Sequence, residues 1–204
     1  TGDEVEEAAG ILREKVSRGV KVISSIPAGQ IIFRSIVVPF RDMKKIRQIV
    51  RFEVERYLTF PAEEAAVDFY MLGHEKQGGS RIMTVTVRRE LLEAHLSSLQ
   101  KLGVEPAVVD VDSMALINFI GGGEKSAAVV DIGADDTSIS IVSGGVLICL
   151  RSIRFGGNNF TKVWAEKEKI GIDEAVERKK AGKIEASALE KSMSLLVSEL
   201  KYAM

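Results

Sequence analysis

The sequence predicts a mixed α/β protein with antiparallel hairpins, and three patterns carry that prediction. Apolar residues recur at spacings of three and four in several segments of helical length, and short β-branched runs alternate with them. Pairs of these runs are separated only by polar, glycine-bearing stretches. Strands and helices mixed in this order pack as α/β or α+β layers. With 204 residues, 46% of them hydrophobic, the chain can bury a core as one large or two small domains.

Val5, Ala8, Ala9, Leu12 and Val16 share one face of a first helix, and Asp3 with Glu6 resembles a capping box with Asp in the Ser/Thr role. A strand is expected at about 20–26, then the turn Pro27-Ala28-Gly29, then a second strand near 30–38. Asp42 is placed to cap the next helix, whose stripe is Met43, Ile46, Val50, Val54, Tyr57 and Leu58. Its face at Met43, Ile46, Val50 and Val54 is expected to be core rather than a partner groove. Pro61 is expected to end this helix, because the residue before a proline is pushed out of the α region. Strands at 66–72 and 81–87 flank the polar stretch 73–80 as a hairpin. Leu91, Leu92, His95, Leu96, Leu99 and Leu102 mark an amphipathic helix that Gly103 caps, with His95 read as a satisfied core histidine. A strand at 104–111 and a short helix from Asp112 or Ser113 to Phe119 follow.

The run Gly121-Gly122-Gly123-Glu124-Lys125-Ser126 is the clearest boundary. Beyond it, strands at 127–132, 137–142 and 146–153 are joined by Gly133-Ala134-Asp135-Asp136 and Ser143-Gly144-Gly145. Helices are expected at about 159–169, 173–181 and 187–204, the last with Leu189, Met193, Leu196, Val197 and Leu200 on one face. Thr1 and Met204 both read as cuts in a longer protein.

Charge narrows the function classes. Lys and Arg number 28 against 29 Asp and Glu, a net of −1, which argues against a dedicated nucleic-acid binder. Basic clusters at 41–51 and 178–180 read as solvated helix faces. The single cysteine, Cys149, cannot form an internal disulfide and lies in an apolar run, where a buried, inert thiol is expected. A reducing cytosol is the matching compartment. No apolar stretch approaches the roughly 20 residues that span a bilayer.

One segment suggests chemistry. In Val129-Val130-Asp131-Ile132-Gly133-Ala134-Asp135-Asp136-Thr137 an apolar strand delivers Asp131 to a tight turn that Gly133 permits. Amides of such a turn can cradle an anion, and an aspartate beside it can hold hydrated Mg²⁺. Asp136 adds a second carboxylate, and the Thr137 hydroxyl is a donor for a phosphate oxygen. Gly156-Gly157 before a helix is a second potential anion site, or equally a strand-to-helix turn with an asparagine N-cap. With two histidines and one cysteine there is no metal-ligand cluster. There is no Walker loop or nucleophile elbow, and Glu53/Glu55 and Glu63/Glu64 read as surface charges. No complete active site is present, so an enzyme is not expected.

Several stretches together resemble the PilM family of type IV pilus assembly and, equally, the cytoplasmic half of GspL in type II secretion. They are Ser25-Ile26-Pro27-Ala28-Gly29-Gln30 through Arg34 to Pro39-Phe40, the helix ending Phe52-Glu53-Val54-Glu55-Arg56-Tyr57-Leu58-Thr59-Phe60-Pro61, and Val67-Asp68-Phe69-Tyr70. Leu102-Gly103-Val104-Glu105-Pro106 to Leu116, Asp131-Ile132-Gly133, Gly156-Gly157-Asn158-Asn159 and Gly171-Ile172-Asp173-Glu174-Ala175 complete the likeness.

The resemblance implies an actin-like fold of the FtsA/ribonuclease H-like kind, truncated at both ends. A first half at 1–120 would carry a small α+β subdomain inserted at about 30–87, with a linker at 121–126 and the start of a second half at 127–204. Asp131, Gly133, Asp136 and Thr137 would match the second phosphate motif, and Gly156 and Gly157 more weakly. A first phosphate hairpin and an adenosine segment are not visible. No cofactor is therefore expected in this chain, and ATP with Mg²⁺ would belong to the full-length protein. The implied role is a scaffold at the cytoplasmic face of the bacterial inner membrane. It would contact a GspE- or PilB-like assembly ATPase and the cytoplasmic tail of a PilN- or GspM-like bitopic protein, with a homodimer as a further option and no nucleic acid. The alternatives are an actin-like ATPase and an FtsA-like filament former.

Overall fold

A strand period of two and a helical period of 3.6 meet in one small core in the first part of the computed structural model. The structure describes residues 2–17, 19–118, 126–183, 193–194, 197–198 and 201. The chain divides into two compact units, Thr1–Ala115 and Leu116–Met204.

In the first unit, α1 (Gly2–Ser17) begins one residue ahead of the expected Asp3 cap. On its expected stripe Ala9 is buried, while Leu12 is exposed. The side chains of Val5 and Ala8 lie outside the described residues. Next, β1 (Ile23–Ile26) pairs in parallel with β5 (Val108–Val111). Both strands are shorter than expected. In the second case Pro106, which lacks an N–H, stands ahead of the strand.

Between them β2 (Ile32–Val38), β3 (Ala65–His74) and β4 (Ser80–Arg88) form an antiparallel sheet in the order β2-β4-β3. At the β3–β4 turn Gly79 has φ +93°, and a Cβ there would lie 2.3 Å from the Val38 carbonyl oxygen. The helix α2 (Met43–Glu55) is capped as expected: the Asp42 carboxylate accepts the amides of Lys44 at 2.7 Å and Lys45 at 3.4 Å. Ile46, Val50 and Val54 pack with Ile36, Val38, Phe69 and Ile82 in a shared core.

Two details of α2 differ from expectation. Met43 is 42% exposed, because a first-turn side chain leans toward the helix N-terminus and projects past its start. The helix also stops at Glu55, ahead of Pro61, where short turns bond Tyr57 N–H to Val54 and Leu58 N–H to Glu55.

α3 (Arg89–Lys101) follows, and none of its side chains is fully buried. His95 is satisfied, its Nε2 3.1 Å from Ser24 Oγ. Gly103 closes the helix in the left-handed region at φ +73°. α4 (Asp112–Ile117) is anchored by the Asp112 carboxylate, which accepts the amides of Ala28 at 3.0 Å and Ser113 at 2.6 Å. Phe119 and linker residues 121–125 lie outside the described residues.

In the second unit β6 (Ser126–Ile132), β7 (Thr137–Ser143) and β8 (Val146–Ile153) form an antiparallel meander with β7 central. Ile139, Val142 and Leu147 are buried, whereas Cys149 is only half-buried. α5 (Gly157–Glu168) and α6 (Ile172–Lys180) pack through Trp164, Ala165, Ile170 and Ala175. Of the helix expected at 187–204, Met193, Ser194, Val197, Ser198 and Lys201 are helical, and Leu189, Leu196 and Leu200 lie outside the described residues.

Candidate functional site

The expected anion-binding segments come together at one end of the β6–β7 hairpin. Strand β6 places Asp131 opposite Ser138 and Ile132 opposite Thr137. The turn closes when Gly133 N–H donates to the Asp136 carbonyl at 2.9 Å.

The Gly156-Gly157 turn docks directly on this tip. Gly157 N–H donates to the Gly133 carbonyl at 2.9 Å, and Asn158 N–H to the Ala134 carbonyl at 2.7 Å. The Asn158 amide group adds a bond to the Asp135 carboxylate at 2.9 Å. Gly156 is extended, with φ −144° and ψ −168°, a conformation open to any residue. Glycine is needed there for space: a Cβ would sit 2.5 Å from the Ala134 carbonyl oxygen and 2.7 Å from the Asp135 nitrogen.

The first turn of α5 is then tied down from its own side. Asn159 Oδ1 accepts the Gly156 amide at 2.9 Å, so the asparagine caps from inside the helix rather than from the N-cap position. Thr161 Oγ1 donates to the Gly157 carbonyl at 2.8 Å. Lys179 of α6 donates to the same carbonyl at 2.6 Å and to Thr161 Oγ1 at 3.2 Å. Thr137 is fully buried and donates its hydroxyl to the Phe155 carbonyl at 2.6 Å. The Phe155 and Phe160 rings meet edge to face, 4.8 Å apart.

This geometry spends part of the donor set on which a phosphate site was expected to draw. The amides of Gly133, Gly156, Gly157 and Asn158 each have an acceptor within the protein, and the Thr137 proton goes to Phe155. Asp131 and Asp136 are half-buried carboxylates, and no cluster of metal-ligating groups occurs among the described residues. As arranged here this donor set is turned inward. It fits a joint that locks a hairpin tip to a helix start.

Lys179 and Thr161 are the participants that sequence reasoning passed over. Lys179 sits in a basic run that reads as solvated surface, and only its position relative to Gly157 reveals the difference. In the first unit a separate cavity of about 380 Å³ is lined by Leu96, Gln100, Gly103, Val104, Glu105 and Pro106.

Comparison with known proteins supplies what the geometry does not. The family described as "Type IV pilus assembly protein PilM" matches residues 2–200. Among solved structures, the chain is similar to one of the "PilM-PilN type IV pilus biogenesis complex", with 26% identity and a TM-score of 0.79 over 97% of this chain and 62% of that one. It is also similar to the cytoplasmic domain of EpsL, an inner membrane component of the type II secretion system of Vibrio cholerae. There the identity is 15% and the TM-score 0.55, over 73% of this chain and 56% of that one, a likeness of fold alone. The chain spans less than two thirds of the length of either structure. Its architecture is the mixed α/β class expected from the sequence.

Proposed function

Because this chain belongs to the PilM family of type IV pilus assembly proteins, we propose that it is a scaffold at the cytoplasmic face of the inner membrane. In this reading it joins a PilB- or GspE-like assembly ATPase to the cytoplasmic tail of a PilN- or GspM-like bitopic protein. The observation that carries the proposal is the likeness, over 97% of the chain, to a structure of the PilM-PilN complex. The joint at Gly133 and Gly156 suits a scaffold, because it ties the β6–β7 tip to the start of α5.

The test is a calorimetric titration of the full-length protein with a synthetic peptide carrying the cytoplasmic tail of its PilN-like neighbour. Saturable binding supports the reading, and the absence of any heat of binding at high peptide concentration would remove it. The ATPase link is tested separately, by cosedimentation of the two purified proteins with and without the tail peptide. Failure of that arm alone leaves a tail-binding protein that does not bridge to the motor.

A further inference from the structure

Within α2 the charges of the first and last turns run against the helix dipole, while the flanking Asp42 cap and Arg56 run with it. A helix favours acidic side chains in its first turn and basic ones in its last. Here Lys44 and Lys45 lie in the first turn and Glu53 and Glu55 in the last. Residues 41–56 hold six basic against three acidic side chains, hence +3, within a chain whose net charge is −1.

The fold uses four of the six: Arg41 donates to the Glu75 carbonyl at 3.2 Å, Arg51 donates to the Ala62 carbonyl at 2.7 Å, Arg56 lies 3.8 Å from the Glu53 carboxylate, and Arg47 stands 5.7 Å from the Phe69 ring. Arg47 reaches Asp68 only at 3.9 Å, with both side chains mostly exposed. Neither Lys44 nor Lys45 forms an ion pair among the described residues, although the Lys45 ammonium stands 5.7 Å from the Phe40 ring. Lys44 and Lys45 are therefore the cations of this segment left for something outside the fold.

A second feature lies on the same ridge. Phe52 is 69% exposed, more than any other large apolar side chain among the described residues. At 100° per residue, Lys45 seven positions before it and Arg56 four after it fall on the same side. The opposite side, through Ile46, Val50 and Val54, is held in the core. The outer side is therefore a convex ridge with a phenyl ring at its centre, Lys45 and Arg56 beside it, and Glu55 and Lys44 on its other flank.

We propose that this ridge lies on an anionic lipid surface, with Lys44 and Lys45 on headgroup phosphates and Phe52 in the interfacial layer. Basic residues bind anionic leaflets through such phosphates, and an aromatic ring favours the boundary between headgroup and acyl chain. A convex ridge gives a peptide no groove but meets a flat surface without rearrangement. The inference rests on the proposed scaffold role only in placing the protein near a membrane, and its test uses no tail peptide.

The experiment is cosedimentation of the full-length protein with phosphatidylglycerol-containing vesicles and with pure phosphatidylcholine vesicles. Binding is expected to the anionic vesicles alone and to weaken as salt rises. The double variant Lys44→Glu, Lys45→Glu should lose about tenfold or more in vesicle affinity. Glutamates in the first turn suit the helix dipole, so its thermal midpoint should not fall, which separates lost binding from lost folding. Phe52→Ser should lose several-fold while keeping the salt dependence. Wild type that ignores anionic vesicles overturns the proposal, and an acidic protein partner in place of lipid would give that result. Equal vesicle binding by wild type and the double variant overturns it as well.

Discussion

The seat of α2 on its sheet and the joint between the 133–136 turn and Gly156 hold their elements by opposite means. Under α2 the contact is made by side chains: Ile46, Val50 and Val54 fill the space above Ile36, Val38, Phe69 and Ile82. At the joint it is made by backbone: amides and carbonyls meet because Gly156 has no side chain to hold them apart. The first contact tolerates exchange of one apolar shape for another and rejects charge. The second tolerates no added atom at all, whatever its polarity.

The largest effect should come from Val50→Asp, which places a carboxyl group in the side-chain core with no partner. A loss of about 4 kcal/mol is expected from burying such a group, read as collapse of the urea midpoint by circular dichroism. An unchanged midpoint would mean that α2 does not sit on the sheet as described.

Gly156→Ala should come next, at about 2–3 kcal/mol, the range for forcing extra atoms into a closed contact. Trp164, the only tryptophan and 6% exposed, sits in the second unit and gives a fluorescence readout. If the alanine variant unfolds at the wild-type urea concentration, the backbone contact is looser than 2.5 Å implies.

Thr137→Val keeps the shape and removes one donor, leaving the Phe155 carbonyl without its hydroxyl partner. A loss of about 1.5 kcal/mol is expected for that buried acceptor. Stability unaffected by the change would show that the hydroxyl bond contributes nothing to the joint.

Smaller still is an alkaline effect on the sheet beneath α2. Burial pushes the Tyr70 phenol up to about 12 from 10.0. A raised folded pKa means the fold favours the neutral phenol. Its stabilisation is therefore complete below the ordinary value and is lost as pH rises from 10.0 toward about 12. Tyr70→Phe should flatten the fall of the urea midpoint across that window, and a parallel fall in both proteins would clear Tyr70 of the effect.

Smallest is Arg178→Ala, which removes the exposed pair with Glu174. It should stay within about 0.5 kcal/mol, whereas Lys179→Ala, one residue on, should cost measurably more because it releases Gly157 and Thr161. Equal effects at the two positions would erase the distinction between a solvated basic run and a member of the joint.

Elements defined by repetition were legible in the sequence. The spacing of Ile46, Val50 and Val54 placed α2 and its core face, Asp42 announced its start, and β7 and β8 fell within a residue of their expected bounds. What failed lay at ends and edges. Met43 escaped burial because it opens the helix, and α2 stopped ahead of Pro61 through short backbone turns. The candidate site was half legible. The segments at Gly133 and Gly156 were singled out as two separate anion sites, but that they meet, and the partners of their donors, could not be read from the chain.

By itself, then, the sequence determined the elements, the cored face of α2 and the likeness to pilus assembly proteins, because apolar periods and motif order are properties of neighbouring residues. Only the tertiary structure decided that the Gly133 and Gly156 turns serve each other, that Thr137 donates to Phe155, and that Lys179 belongs to the joint rather than to solvent. Those contacts join residues about twenty positions apart through main-chain atoms, which every residue carries alike. A glycine that makes such an approach leaves no side chain to announce what it approaches.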